Sequence, residues 1–200
     1  FDRNLLCEKT LLGACAGADY PVPGVLSPVP KILFPEAGTY QLPATPETVT
    51  LFTLSDKERV LIAEYMRDIF RKFNIHLEFR IVDLPSMVRE SNKGTRGLYL
   101  MKWSADYPHA ENFLVPLFHS RNAGIGGNRA HIKDQILDTM LDRASYTPEN
   151  VEQIQQRLRE LSPWLFIGFQ NMQYYRLKKS RLRIPKIFAG WGEKTIAAAP

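Results

Sequence analysis

Thr48-Val49-Thr50-Leu51-Phe52-Thr53-Leu54 is a run of β-branched and aromatic residues that reads as a strand with one face buried. Behind it, Ser55 and Glu58 have the S-x-x-E spacing of a capping box, and Ile62, Tyr65, Met66, Ile69 and Phe73 then repeat at helical spacing. Asn74 suits a turn, after which Ile75, Leu77, Phe79 and Ile81 alternate with His76, Glu78, Arg80 and Val82 as a second strand. A strand, a helix of this length and another strand close most simply as a right-handed parallel crossover. The fold class read from this stretch is α/β, a mixed sheet with flanking helices.

Upstream, Asp2 to Leu12 predicts a short helix capped by Asp2, with Leu5, Leu6 and Leu12 as its apolar stripe and Gly13 at its exit. Seven prolines between Pro21 and Pro46 forbid a long regular element there, although Pro30 to Ala37 has room for a helical turn or two. Residues 1–46 are therefore a helix and a Pro-rich connector, 47–190 an α/β core, and 191–200 a tail whose Ala197-Ala198-Ala199 frays.

Within the core, Pro85 to Glu90 predicts a short helix, and Leu98 to Trp103 a third strand ended by Ser104-Ala105-Asp106-Tyr107-Pro108. Glu111 to Phe118 has helical character interrupted at Pro116, and Ser120 to Arg129, with Gly124, Gly126 and Gly127, reads as a flexible loop. Ile132 to Ala144 forms the next helix with Ile136, Leu137, Met140 and Leu141 inward. Thr147 caps another that Pro148 opens and Pro163 stops, its Val151, Ile154, Leu158 and Leu161 facing the core, and Trp164 to Phe169 is the last strand.

The 200 residues, 44% hydrophobic and 24% charged, fall in the range of ordinary globular chains and suffice for a core without a metal or disulfide staple. No apolar run approaches the ~18 residues of a membrane helix. The net charge of +5 raises nucleic acid or an anionic surface as partners, but the basic residues gather in Arg176, Lys178, Lys179, Arg181, Arg183 and Lys186, which lack an RNA-binding or zinc-finger pattern. A solvated basic face is the reading, with no nucleic acid expected. Cys7 and Cys15, eight apart across a helix and its exit, are read as free thiols. The start at Phe1 lacks Met and a signal pattern, so the chain reads as a fragment or mature product whose upstream sequence leaves targeting open.

No G-x-S-x-G elbow, H-E-x-x-H helix or Walker loop occurs, and the reading is of a protein that is not an enzyme. His109-Ala110-Glu111 has the H-x-E of zinc deaminases, but no cysteine follows Cys15 to complete that site. His109, His119 and His131 with Asp106 match no metal-ligand spacing and are expected to be ordinary surface residues, with no metal and no cofactor. The glycines from Gly124 to Gly127 have the composition of a phosphate cradle but lack its strand and helix. Asp106 is more informative: a carboxylate just past an apolar strand, between Trp103 and Tyr107, has the chemistry to hold a ligand's ammonium, against the alternative of a simple turn aspartate.

Trp103-Ser104-Ala105-Asp106-Tyr107-Pro108, continuing through Asn112-Phe113-Leu114 and Leu117-Phe118, resembles the solute-binding proteins that deliver oligopeptides and dipeptides to ABC importers. Asp2-Arg3 to Gly13, Ile62-Ala63-Glu64 to Ile75, Gly127-Asn128, Ile132 to Leu141 with Asp138, and the helix ending at Pro163 resemble the same family in order. The resemblance implies the carboxy-terminal lobe of a hinged, two-lobe fold of periplasmic-binding-protein type II, with the amino-terminal lobe absent from this sequence. It implies that Asp106 anchors a peptide's amino terminus, that Trp103 and Tyr107 wall the cleft, and that Ser104 and Asn128 lie in the binding region. Tripeptide-preferring relatives bring arginines from the strand before this Trp to hold the peptide carboxylate. Leu100 and Met101 stand at the matching positions here, with only Arg96 and Lys102 nearby. The implied partners are a peptide and the importer's membrane permease subunits, and the implied place is periplasmic or otherwise extracytoplasmic, with a lipid anchor allowed on the complete protein. Nickel, haem and oligosaccharide binders share the architecture. Two alternatives are a cytoplasmic transcriptional regulator that senses a ligand on the same fold, and a small hydrolase using Asp106 and His109.

Overall fold

A computed structural model describes residues 2–24, 26–27, 44–142 and 145–171, together with two short strands at 182–183 and 197–198. The basic cluster from Arg176 to Lys186, apart from the backbone pairing of Arg183, and the turn expected over Pro30 to Ala37 lie outside the described residues. Asp2 caps the first helical turn, α1 (Arg3–Leu5), by accepting from the Leu5 N–H at 2.8 Å, and the helix widens at once into a π turn over Leu6–Thr10. The wider turn puts Leu6, Cys7 and Leu11 inside, while Leu5 (46% exposed) and Leu12 (87%) face out, which corrects the expected stripe. Leu12 and Gly13 both take positive φ, 51° and 79°, and reverse the chain into β1 (Cys15–Gly17). That reversal brings Cys15 back over the helix it has just left, to a Cα–Cα distance of 5.1 Å from Cys7, and the two form a disulfide. The expectation of free thiols is overturned: it assumed that the exit runs away from the helix, whereas the two left-handed residues fold it back within bonding reach.

β2 (Glu47–Thr53) feeds α2 (Lys57–Arg71), which returns to β3 (Ile75–Ile81), parallel to β2 from Glu47↔Ile75 to Thr53↔Ile81. The capping residue of α2 is Asp56, not Ser55. Its carboxylate accepts from the Arg59 N–H at 3.2 Å and from the Arg59 guanidinium at 2.6 Å, adding a charge at the positive end of the helix that a serine lacks. Glu58 is thereby released from the box and pairs instead with Lys102 at 2.8 Å. Asn74, at φ 59°, makes the turn into β3. Then α3 (Leu84–Lys93), capped by Asp83, leads to β4 (Leu98–Tyr99), parallel to β2 on its other side. β2 is thus the central strand, and Leu51, Phe52 and Thr53 are all buried where a single buried face was expected. Leu51 packs with Ile62, Ala63, Met66 and Leu77 under α2, while Phe52 points to the opposite face and stacks on Tyr99 at 4.8 Å. Phe73 and Ile81, expected inward, are 46% and 60% exposed at the outer limits of this layer.

The rest of the chain builds a second, helical core. α4 (Glu111–Phe118), α5 (Gln135–Leu141) and α6 (Pro148–Leu161) enclose Phe113, Leu114, Leu117, Phe118, Leu137, Leu141, Val151, Ile154 and Leu158. Ile136 faces out at 57% exposure, because α5 starts only at Asp134, its capping residue, and turns Leu137 and Leu141 inward instead. The expected loop over Ser120 to Arg129 is a pair of 3-10 turns, Ser120–Asn122 and Gly124–Gly126. The last strand is shorter than expected: β5 (Gly168–Gln170) pairs antiparallel with β1, Cys15↔Gln170 through Gly17↔Gly168. Finally β6 (Leu182–Arg183) pairs antiparallel with β7 (Ala197–Ala198), so two of the three alanines expected to fray are strand. No helix among the described residues is long and apolar enough to cross a membrane.

Candidate ligand site

The strand expected over Leu98 to Trp103 stops at Tyr99. One further bond, from the Leu100 N–H to the Phe52 carbonyl at 3.0 Å, carries the chain past the sheet before it leaves as an irregular extended segment. From Ser104 to His109 it bends across the start of α4, with Ala105 and Ala110 buried at either side and Ser104, Asp106, Tyr107, Pro108 and His109 exposed between and beyond them. Besides its backbone turns, two side-chain hydrogen bonds to Asn112 hold this bend on α4. The Asp106 N–H donates to Asn112 Oδ1 at 2.9 Å, and the half-buried Trp103 donates its indole N–H to the Asn112 main-chain carbonyl at 2.8 Å.

The second bond explains why α4 runs through Pro116 instead of breaking there. In a helix the carbonyl of Asn112 is the partner of the residue-116 N–H, which proline lacks, and a buried carbonyl left alone is costly. The indole fills the vacancy. Asn112 is itself only 4% exposed, so both of its groups work in a dry setting where a satisfied hydrogen bond counts for most.

The Asp106 carboxylate projects from this frame and takes no hydrogen bond or ion pair from any described residue. Glu111 lies nearby in sequence at the start of α4, with an oxygen 3.7 Å from His109 Nδ1. The His109 ring meets Tyr146 edge-on at 5.6 Å, and burial, reinforced by the Glu111 and Asp142 carboxylates, pushes the Tyr146 phenol up to about 12. An exposed carboxylate without a partner among the described residues, on a bend flanked in sequence by Trp103 and Tyr107, is suited to a cation, and to an ammonium above all.

The other candidates lie elsewhere. Lys102 is engaged by Glu58 at 2.8 Å and by Gln170 Oε1 at 3.3 Å. Arg96 is exposed but precedes β4, whereas Asp106 follows it, so the two belong to opposite ends of that strand. Asn128 is fully buried: its amide donates to the His119 and Ile132 carbonyls at 3.2 and 2.9 Å, and its Oδ1 accepts from the Ile132 N–H at 3.2 Å. It ties the turn after α4 together and has no group left for a ligand.

His119, expected at the surface, is 6% exposed and held between Asp138 at 3.2 Å and Asp142 at 3.1 Å. His131 lies under Gly94 with Nε2 at 2.9 Å from the Ser91 carbonyl. The three histidines therefore occupy three places, and among the described residues no group of His, Cys, Asp and Glu is placed to hold a metal. The Gly124 and Gly127 amides donate inside their own turns, to the Asn128 and Gly124 carbonyls. At Gly127, with φ 118°, an added Cβ meets the Pro116 carbonyl at 2.8 Å, so this glycine serves close packing on α4.

No protein-family model and no curated protein matches the chain. Solved structures do match it. The murein tripeptide binding protein of Escherichia coli superposes with a TM-score of 0.72 at 20% identity, over 85% of this chain and 37% of its own. The oligopeptide-binding protein of Bacillus subtilis, solved with a nonapeptide, gives 0.68 at 22%, over 85% and 40%. The dipeptide binding protein of Pseudoalteromonas sp. SM9913, solved with Met-Leu, gives 0.71 at 17%, over 85% and 38%. At these identities the likeness is one of fold: the chain has the mixed α/β fold of a part of these binding proteins and spans about two fifths of their length.

Proposed function

We propose that this chain is the carboxy-terminal lobe of a peptide-type solute-binding protein, a non-enzymatic component that captures peptides between two lobes for uptake by an ABC importer. The observation that carries the reading is the unpaired Asp106 carboxylate, on a bend whose Asp106 N–H and Trp103 indole are both bonded to Asn112, on a fold shared with peptide-binding proteins. Asp106 takes the peptide's ammonium by charge-assisted hydrogen bonds. The indole of Trp103 and the ring of Tyr107 wall the first residue, and Ser104 offers a hydroxyl beside them. The site lies open, so a second lobe is needed to exclude water and complete the contacts, and it comes from chain outside this sequence. Residues 1–46 serve as helix and connector, 47–190 as the core and 191–200 as the tail of that lobe.

Lys102 is already paired and Arg96 is remote, so the peptide's carboxylate is held by the other lobe or left free in a longer peptide. The Cys7–Cys15 disulfide supports an oxidising, extracytoplasmic location and weighs against a cytoplasmic regulator. The permease subunits are the partners this function requires.

The test is calorimetric titration of the full-length protein with a pool of di- to pentapeptides, free or acetylated at the amino terminus. Free peptides bind and acetylated ones do not. Asp106→Asn weakens binding roughly 10- to 100-fold, the value of a hydrogen bond to a charged group. Equal binding of both pools, or an Asp106→Asn protein with unchanged affinity, removes Asp106 from the site, and silence from the wild type removes the peptide.

A further inference from the structure

Trp103 is held from outside the bend it belongs to. Its indole N–H bonds the carbonyl of Asn112, which lacks its usual helical donor because residue 116 is proline. The same Asn112 accepts the Asp106 N–H through its side chain, so one residue in the first turn of α4 holds both the Trp103 indole and the Asp106 backbone. Leu114, Leu117 and Phe118, all buried in the helical core, fix that turn in place.

We propose that Pro116, which contributes no atom to the site, is a positioning residue for ligand binding. By withholding an N–H from Asn112 it reserves that carbonyl for Trp103, and so holds the indole on the same residue that fixes the Asp106 backbone. The inference rests on the reading of Asp106 and Trp103 as a peptide site, and it makes a proline inside a helix a determinant of affinity. With any other residue at 116 the backbone amide lies in line with the Asn112 carbonyl and competes with the indole. The helix gains a bond while the site loses one. The two effects therefore have opposite signs, which separates positioning from a structural role, where stability and binding fall together.

The experiment uses Pro116→Ala, Trp103→Phe and the double variant in the full-length protein, with the tightest-binding member of the di- to pentapeptide pool as probe. Pro116→Ala is expected to weaken binding roughly three- to tenfold, the span of one neutral hydrogen bond, with no loss of thermal stability. Phenylalanine has no indole N–H to displace, so adding Pro116→Ala to Trp103→Phe changes affinity less than about twofold. Equal losses in the two backgrounds, or no loss in either, overturn the proposal.

A second readout needs no ligand. With 15N-labelled tryptophan, the indole resonance absent from Trp103→Phe exchanges slowly with solvent in the wild type and faster in Pro116→Ala. Unchanged exchange refutes the positioning role even if affinity falls. A wild type that binds no peptide overturns the site reading and with it the claimed effect on affinity, while the exchange measurement still decides whether Pro116 controls the indole.

Discussion

Converting Cys7 and Cys15 to alanine removes a covalent link that the structure places at the turn from the first helix into β1. The loop it closes is short, a separation of 8 residues, and the chain-entropy relation gives about 2.5 kcal/mol at 25 °C for a loop of that size. Cys7 is also 1% exposed among Leu6 and Leu11, so its loss leaves a small void that adds about 1 kcal/mol. For a chain of this length each kcal/mol moves the melting midpoint by about 2–4 °C, and the double variant should melt roughly 7–14 °C below the wild type. Reduction of the wild type alone, without the void, should give the larger part of that shift, roughly 5–10 °C. Circular dichroism melts with and without dithiothreitol measure both, and a thiol-reactive dye counts free cysteines in the native protein. Two reactive thiols before reduction, or identical melts in oxidant and reductant, refute the reasoning and restore the free-thiol reading of the sequence.

Leu114 is fully buried at the centre of the helical core, so Leu114→Ala should cost about 2–5 kcal/mol, seen as a lower urea midpoint with an unchanged slope. Asp134 is held below the usual carboxylate range, first by its hydrogen bonds from the Arg157 guanidinium and then by the Leu137 N–H. Because the folded value is depressed, the stability from this pair is complete above the unfolded carboxylate pKa of about 3.9 and is lost as pH falls through the lower folded value. Asp134→Asn should therefore have a lower urea midpoint than the wild type at neutral pH, with the gap closing in acid. A gap independent of pH refutes the assignment.

The strand-helix-strand unit was legible because three separate signals agree on it: β-branched runs on each side, helical spacing between them, and Asn74 at the turn. What patterning misjudged was context. A strand flanked on both sides hides residues of both parities, so Thr53 is as buried as Phe52 despite its hydroxyl. Ser55 and Asp56 both satisfy the chemistry of a cap, and only the chain's path into α2 chooses the aspartate. The disulfide was missed for a similar reason. Its reach depends on a reversal at Leu12, a residue type that seldom takes positive φ and gives no sign of it in sequence. At the site, the bend carrying Asp106 and Trp103 was visible from residue type. Pro116 reads as a helix interruption and Asn112 as part of the resembling segment, and neither is tied to the site, although a proline inside an apolar helix leaves the carbonyl four residues earlier in need of a donor. Asn128 was drawn into the site by the resemblance of Gly127-Asn128, and the structure places it fully buried with three bonds to backbone.

The pairing of β1 with β5 closes nearly the whole described chain into one loop through a ladder only three residues long. Bringing the ends of a loop of this length together costs on the order of 4 kcal/mol in chain entropy. A ladder that short repays little of it in advance, so the seam should seal after the sheet layer and the helical core, and its amides should be the first long-range ones to lose protection in native-state hydrogen exchange. The disulfide lies on the amino-terminal side of that seam: it fixes β1 within a local loop and presents a set edge for β5 to pair with.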